Sequence, residues 1–194
     1  AMIVDSTALP EQAVRDIIAS AFQSAGQRCS ALRCLYLQEN IAPHVLEMLK
    51  GAMAELTLGD PWQLSTDIGP LIDEAAWRSI SEYVAEARKA GRVEFEGQAP
   101  GTGWHLAPVV IRIRSIAEMT REIFGPVLHV VTFKACDLDR VVSEINATGY
   151  GLTFGLHSRI DDRVQTSTER VKAGNIYVNR NQSGAVVGSQ PFGG

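Results

Sequence analysis

Short apolar runs alternate along this chain with amphipathic stretches of ten or more residues, and no other feature restricts the fold as much. "AMIVD" reads as a strand, and residues 11 to 24 then place Val14, Ile17, Ile18, Ala21 and Phe22 on one helical face, with Gly26 as the stop. "ALRCLYLQ" is a second strand, followed from Pro43 by a helix carrying Val45, Leu46, Leu49, Met53 and Leu56. The turn-rich loop "GDPWQLSTDIGP" leads to a helix over 74–90, striped by Trp77, Ile80, Val84 and Ala87 and stopped by Gly91. "RVEFEG", "GWHLAPVVIRI" and "VLHVVTF" read as three further strands. A helix over 138–147, the strand "LTFGLHS", a helix over 161–173 and the strand "NIYVN" complete the pattern. Strands joined through helices of this length need crossover connections. The expected fold is therefore α/β, a mostly parallel open sheet with helices on both faces. No repeat, low-complexity tract or linker divides residues 1–194, so they read as one domain. In such sheets ligands bind beyond the carboxyl ends of the strands, and "GQRC", "IFGP" and "SGAVVGSQPFGG" are the expected loops.

Composition narrows the functional classes. The net charge of -4, without clustered Lys and Arg, argues against nucleic acid as a partner. No apolar run approaches the ~20 residues of a membrane span, and the start lacks signal-peptide anatomy. The three cysteines, Cys29, Cys34 and Cys136, are odd in number and lack CxxC spacing. They suggest neither a disulfide framework nor a metal site, and they fit a reducing, cytoplasmic setting.

Cys29 is set apart by its position. It lies in "FQSAGQRCSALR", at the junction of a helix-like and a strand-like run, with Arg28 beside it as a source of positive potential. Cys34, mid-strand, and Cys136, in a polar turn, read as packing thiols. A cysteine–histidine hydrolase would also need a base, and His44, His105, His129 and His157 are scattered without motif context, so they read as structural or surface residues.

The run from Phe22 to Ala31 resembles, position for position, the active-site cysteine signature of the aldehyde dehydrogenase superfamily. "REIFGPVL" (121 to 128) is similar to that family's cofactor motif, and "GDPW…TDIGPLID" to a further family segment, in the same order along the chain. The resemblance implies that Cys29 attacks an aldehyde to give a thiohemiacetal and then a thioester, with its own backbone N–H helping to hold the oxyanion. It implies that Glu122 holds the nicotinamide ribose of NAD (NADP is the other option) and that Phe124 packs against the cofactor. The general-base glutamate, the second oxyanion donor, most of the cofactor domain and the oligomerisation arm of that family have no counterpart here. The chain thus reads as a catalytic domain from a larger, homo-oligomeric enzyme, inactive alone.

"SGAVVGSQPFGG" (183 to 194) is similar to the substrate loop of glutamate-γ-semialdehyde (1-pyrroline-5-carboxylate) dehydrogenases, and "NRNQSGAVVGSQPFGG" to the dehydrogenase half of the bacterial bifunctional proline utilisation enzymes. Gln182 and Ser189 stand outside that match. The likeness implies that the Gly184 and Ala185 amides and the Ser30 hydroxyl receive a substrate α-carboxylate, with Phe192 walling the aliphatic chain. Two rivals remain: a dehydrogenase for another semialdehyde such as succinic semialdehyde, and a non-catalytic module retaining the fold. Competition by amino acids separates the first, and thiol titration the second.

Overall fold

The computed structural model describes residues 1–185 and 188–194. Its strands are β1 (Met2–Val4), β2 (Cys34–Gln38), β3 (Val93–Glu96), β4 (Val109–Arg112), β5 (Val127–Phe133), β6 (Thr153–His157) and β7 (Asn175–Val178). Its helices are α1 (Pro10–Phe22), α2 (Ala42–Ala54), α3 (Glu74–Lys89), α4 (Leu138–Ala147) and α5 (Asp161–Arg170). Every residue of β1 and β2 is buried. A strand covered on both faces loses polar alternation, which is why "MIV" and "CLYL" are unbroken apolar runs. The seven strands form one sheet in the order β3-β4-β5-β2-β1-β6-β7, parallel throughout except between β3 and β4. α1 packs against α2, and α4 against α5, the grouping on opposite faces that right-handed crossovers in this strand order require. The expected α/β architecture is the observed one.

Local chemistry explains where the elements stop. Asp73 caps α3 by accepting from the Ala76 amide at 2.8 Å, and Gly91, at φ 65°, closes its far end. "GWHLAPVVIRI" yields only Val109–Arg112 as strand. The Trp104 carbonyl is taken by the Leu71 amide at 2.9 Å and the His105 carbonyl by the Trp77 indole at 2.9 Å, while Pro108 has no amide to donate. The expected helix over 161–173 ends at Arg170, because Asn146 of α4 accepts from the Lys172 amide and donates to the Arg170 carbonyl, drawing the chain out of the helix. The exposed edge β3 is short and charged, with Glu94 paired to Lys50 and Arg112 and Glu96 paired to Arg88.

The candidate loops do not gather beyond the carboxyl ends of the strands, where this fold class leads one to expect them. The connections reverse direction between β1 and β6, so the crevice expected to hold a ligand opens at the carboxyl ends of those strands. It is filled by protein. Asp5, buried there, accepts from Ser158 Oγ at 2.5 Å, Thr7 Oγ1 at 2.6 Å, the Thr7 amide at 2.7 Å and Arg163 Nη1 at 3.1 Å. Burial alone would raise the Asp5 pKa, but these donors outweigh it and hold the carboxyl below its ordinary value. The loops "GQRC" and "IFGP" instead lead into the amino ends of β2 and β5, at the opposite end of the sheet, and the segment after β7 returns to that end to meet Ser30 and Asn175.

Candidate active site

The loop carrying Cys29 begins with an unusual backbone. After α1 ends at Phe22, Ser24, Ala25 and Gly26 are all left-handed, with φ of 55°, 53° and 66°. Two non-glycine residues in that region store strain, which the surroundings must hold in place. Ala25 is buried, the Ser24 carbonyl accepts from the Gln27 amide at 3.0 Å, and Arg28 Nε donates to Ser24 Oγ at 2.9 Å. Gly26 is therefore the last of three left-handed residues, and not the simple helix stop that the sequence suggested. A Cβ at Gly26 would lie 2.2 Å from the Gly125 carbonyl oxygen, so glycine here lets the cysteine loop press directly on the loop of "IFGP". Cys29 and Ser30 then form the tip of a turn closed by the Ala31 amide on the Arg28 carbonyl at 3.1 Å. Cys29 is exposed, whereas Ser30 is buried.

Arg28, expected as a source of positive potential beside Cys29, is not the cation that ties this loop together. Arg28 is engaged with Ser24, whereas the buried Arg33 ties the candidate residues together. Its guanidinium donates to the Gly26 carbonyl, to the Arg28 carbonyl at 2.9 Å and to Glu122 Oε1 at 3.5 Å. It also lies 4.6 Å from the centre of the Phe124 ring. A signal was available: an arginine inside the apolar run "ALRCLYLQ" must be paired if it is buried. Phe124 is 42% exposed, with the Arg33 guanidinium over its ring, and is not a core residue, and Glu122 is half-buried.

The segment after β7 runs back across the sheet towards Ser30. The Gln182 side chain and Ser183 Oγ both reach the Ser30 carbonyl, at 3.2 and 3.3 Å. Gly184 and Ala185, which follow at once, are half-buried. A Cβ at Gly184 would meet the Arg180 guanidinium at 2.5 Å, so close packing, and not a left-handed backbone, favours glycine there. Phe192 is 46% exposed, beside Pro191, whose carbonyl accepts from Asn175 at 2.8 Å. The Val186–Val187 part of the quoted loop lies outside the described residues.

A cleft of about 1080 Å³ opens along the amino ends of the strands, and Cys29, Arg33, Glu122 and Gln182 share its lining with Arg121 and Lys172. The structure thus brings Cys29 and Glu122 into one cleft, whereas Ser30, Phe124, Gly184, Ala185 and Phe192 do not line it. With Arg33, Arg121 and Lys172 set against Glu122, the named charges favour an anionic guest. An exposed thiol on a turn in such a cleft is suited to attack an electrophile. Of the other thiols, Cys34 is buried, and that burial pushes its pKa up to about 12. Cys136, expected as a packing thiol, is instead exposed in the short turn Ala135–Asp137, against the Asp137 carboxylate at 3.8 Å. His129 is structural. Its Nδ1–H donates to the Arg33 carbonyl at 3.0 Å, its Nε2 accepts from Tyr83 at 2.8 Å, and burial lowers its pKa to about 4.

The chain is 51% identical, over its whole length, to bifunctional protein PutA of Klebsiella aerogenes, of which it spans 15%. A crystal structure of bifunctional proline utilization A superposes with a TM-score of 0.96 at 50% identity, covering 99% of this chain and 19% of that one. A 1-pyrroline-5-carboxylate dehydrogenase from Thermus with bound NAD superposes at 0.90 with 33% identity, covering 99% of this chain and 37% of that one. The model of the aldehyde dehydrogenase family matches residues 1–194, and the chain belongs to that family.

Proposed function

We propose that residues 1–194 form the cysteine-bearing catalytic domain of a longer enzyme that oxidises L-glutamate γ-semialdehyde to L-glutamate in proline catabolism. One observation carries this reading. The similarity to PutA proteins and 1-pyrroline-5-carboxylate dehydrogenases runs the full length of the chain, through the turn that exposes Cys29. The Cys29 thiolate adds to the aldehyde carbon, forming a C–S bond and an alkoxide that the Cys29 backbone amide helps to hold. Loss of the aldehydic hydrogen as hydride leaves a thioester on Cys29. Water then cleaves the C–S bond, releasing the carboxylic acid and the thiol. The surroundings fit a nicotinamide cofactor: Glu122 offers a half-exposed carboxylate to paired ribose hydroxyls, and Phe124 an exposed ring. NAD, bound in the Thermus relative, is the proposed form, and it supplies a hydride acceptor when bound. Ser30 and the Gly184 and Ala185 amides receive the substrate α-carboxylate, and Phe192 walls its chain.

The test is kcat/KM of the longer enzyme for the semialdehyde and for a plain aliphatic aldehyde of similar length, in wild type and in Gly184→Val. Each hydrogen bond to a charged group contributes roughly 1.5–3 kcal/mol, so a loss of tenfold or more is expected for the semialdehyde alone. Because the group that a Cβ meets is the mobile end of Arg180, the fold should survive. Equal losses for both substrates would remove the carboxylate assignment.

A further inference from the structure

The carbonyl of Ser30, one residue after the exposed thiol, receives three side-chain donors from distant parts of the chain. Thr153 Oγ1 of β6 lies at 3.3 Å, Gln182 Nε2 at 3.2 Å and Ser183 Oγ at 3.3 Å. A carbonyl oxygen has two lone pairs, so three donors are more than satisfaction of one buried acceptor requires. Gln182 Nε2 also reaches Thr153 Oγ1 at 3.3 Å. Because a carbonyl can only accept, Ser30 fixes which end of the Gln182 amide points at it. The other end, Oε1, is left buried without a partner. Such an orphan is unfavourable, and a fold that needed only a filler here would be served better by an apolar side chain. The backbone is pinned as well. The Gln182 amide donates to Ser20 Oγ at 3.1 Å, and the Ser20 carbonyl accepts from the Leu32 amide at 2.8 Å, so one residue of α1 anchors both sides of the contact.

We propose that Gln182, Thr153 and Ser183 are positioning residues that clamp the Ser30 carbonyl. The clamp holds the Cys29–Ser30 turn in register with Gly184 and Ala185, which adjoin it in sequence. Its consequence for specificity rests on the reading under Proposed function; the clamp itself rests on the contacts above.

The three thiols of the 194-residue chain provide the measurement. Thiolate displaces chloride from a chloroketone, forming C–S as C–Cl breaks. The two probes are 5-chloro-4-oxonorvaline, which carries an amino-acid end, and chloroacetone, which does not. Labelling is quantified by peptide mapping. Cys34 reports whether the fold is intact, and Cys136 serves as the exposed thiol outside the cleft. In wild type, Cys29 should favour the amino-acid probe relative to Cys136. In Gln182→Met and Thr153→Val that ratio at Cys29 should fall about tenfold, with Cys136 unchanged and Cys34 unlabelled. A ratio that keeps its wild-type value while Cys34 stays protected overturns the proposal. If Cys34 becomes labelled in both variants, the half-buried Ser183→Ala decides in their place. If wild type shows no preference, the glutamate-semialdehyde reading falls, and the clamp is judged by amide exchange of residues 28–32. Faster exchange in Gln182→Met supports it, and unchanged exchange overturns it.

Discussion

Replacing Arg33 by Met would release two backbone carbonyls and one carboxylate together, because the Gly26 and Arg28 carbonyls and Glu122 all meet its guanidinium. Breaking a buried charge cluster from one side leaves its partners unpaired. Glu122 retains some solvent, so the expected loss is about 2–4 kcal/mol, read as a lower urea midpoint. Arg33→Lys should recover little, since a single ammonium cannot span acceptors arranged for a planar fork. The thiols give a second prediction at this scale. With limiting iodoacetamide, Cys29 should label first. Cys136 should lag because its thiol faces the Asp137 carboxylate, whereas Cys29 is exposed on a turn in the cleft that Arg33 also lines. Cys34, buried and with a pKa pushed up to about 12, should label only on unfolding. Faster labelling at Cys136 would show that the cleft does not favour reaction at Cys29.

Among the elements, the left-handed turn between α1 and β2 sets where Cys29 sits. Gly26→Ala would place a methyl group against the Gly125 carbonyl in a conformation that L-residues resist. The opposing group is backbone and cannot swing aside. The expected cost is about 3 kcal/mol or more, together with loss of preferential Cys29 labelling. A variant as stable as wild type would show that the two loops can separate. The regular elements were largely legible in sequence: β5 coincides with "VLHVVTF", and α4 with the periodic stretch 138–147. Ser24 and Ala25 were not legible. Neither residue type signals a left-handed backbone, which here is imposed by burial of Ala25 and by the bonds of Ser24 to Gln27 and Arg28.

At the scale of the whole molecule, buried histidines tie stability to pH. Burial lowers the His129 pKa from 6.5 to about 4, and burial lowers that of His157 too, although Asp16 opposes the shift. Between those values the unfolded chain binds the proton that the folded chain refuses. Stability should therefore be fully present above about pH 6.5 and decline as pH falls towards 4. At 1.36 kcal/mol per unit, His129 alone contributes roughly 3 kcal/mol across that window. Urea midpoints measured between pH 7 and 4.5 should fall, and His129→Gln, whose amide can still donate to the Arg33 carbonyl, should flatten the slope. A pH-independent midpoint would mean that the fold does not lower the His129 pKa.

The amino-acid sequence by itself determined the alternation of buried strands and amphipathic helices, and hence a parallel sheet, because side-chain periodicity is a property of each segment alone. It also marked Cys29, Glu122 and Gly184, whose motifs are contiguous. Only the tertiary structure decided which end of the sheet carries the cleft, since that required Asp5, Thr7, Ser158 and Arg163 to meet and fill the opposite crevice. Only the tertiary structure joined Arg33 to Glu122 and set Gln182 and Thr153 on Ser30. Those contacts join residues 89 to 152 positions apart, and no local pattern records a hydrogen bond whose partner lies on another strand.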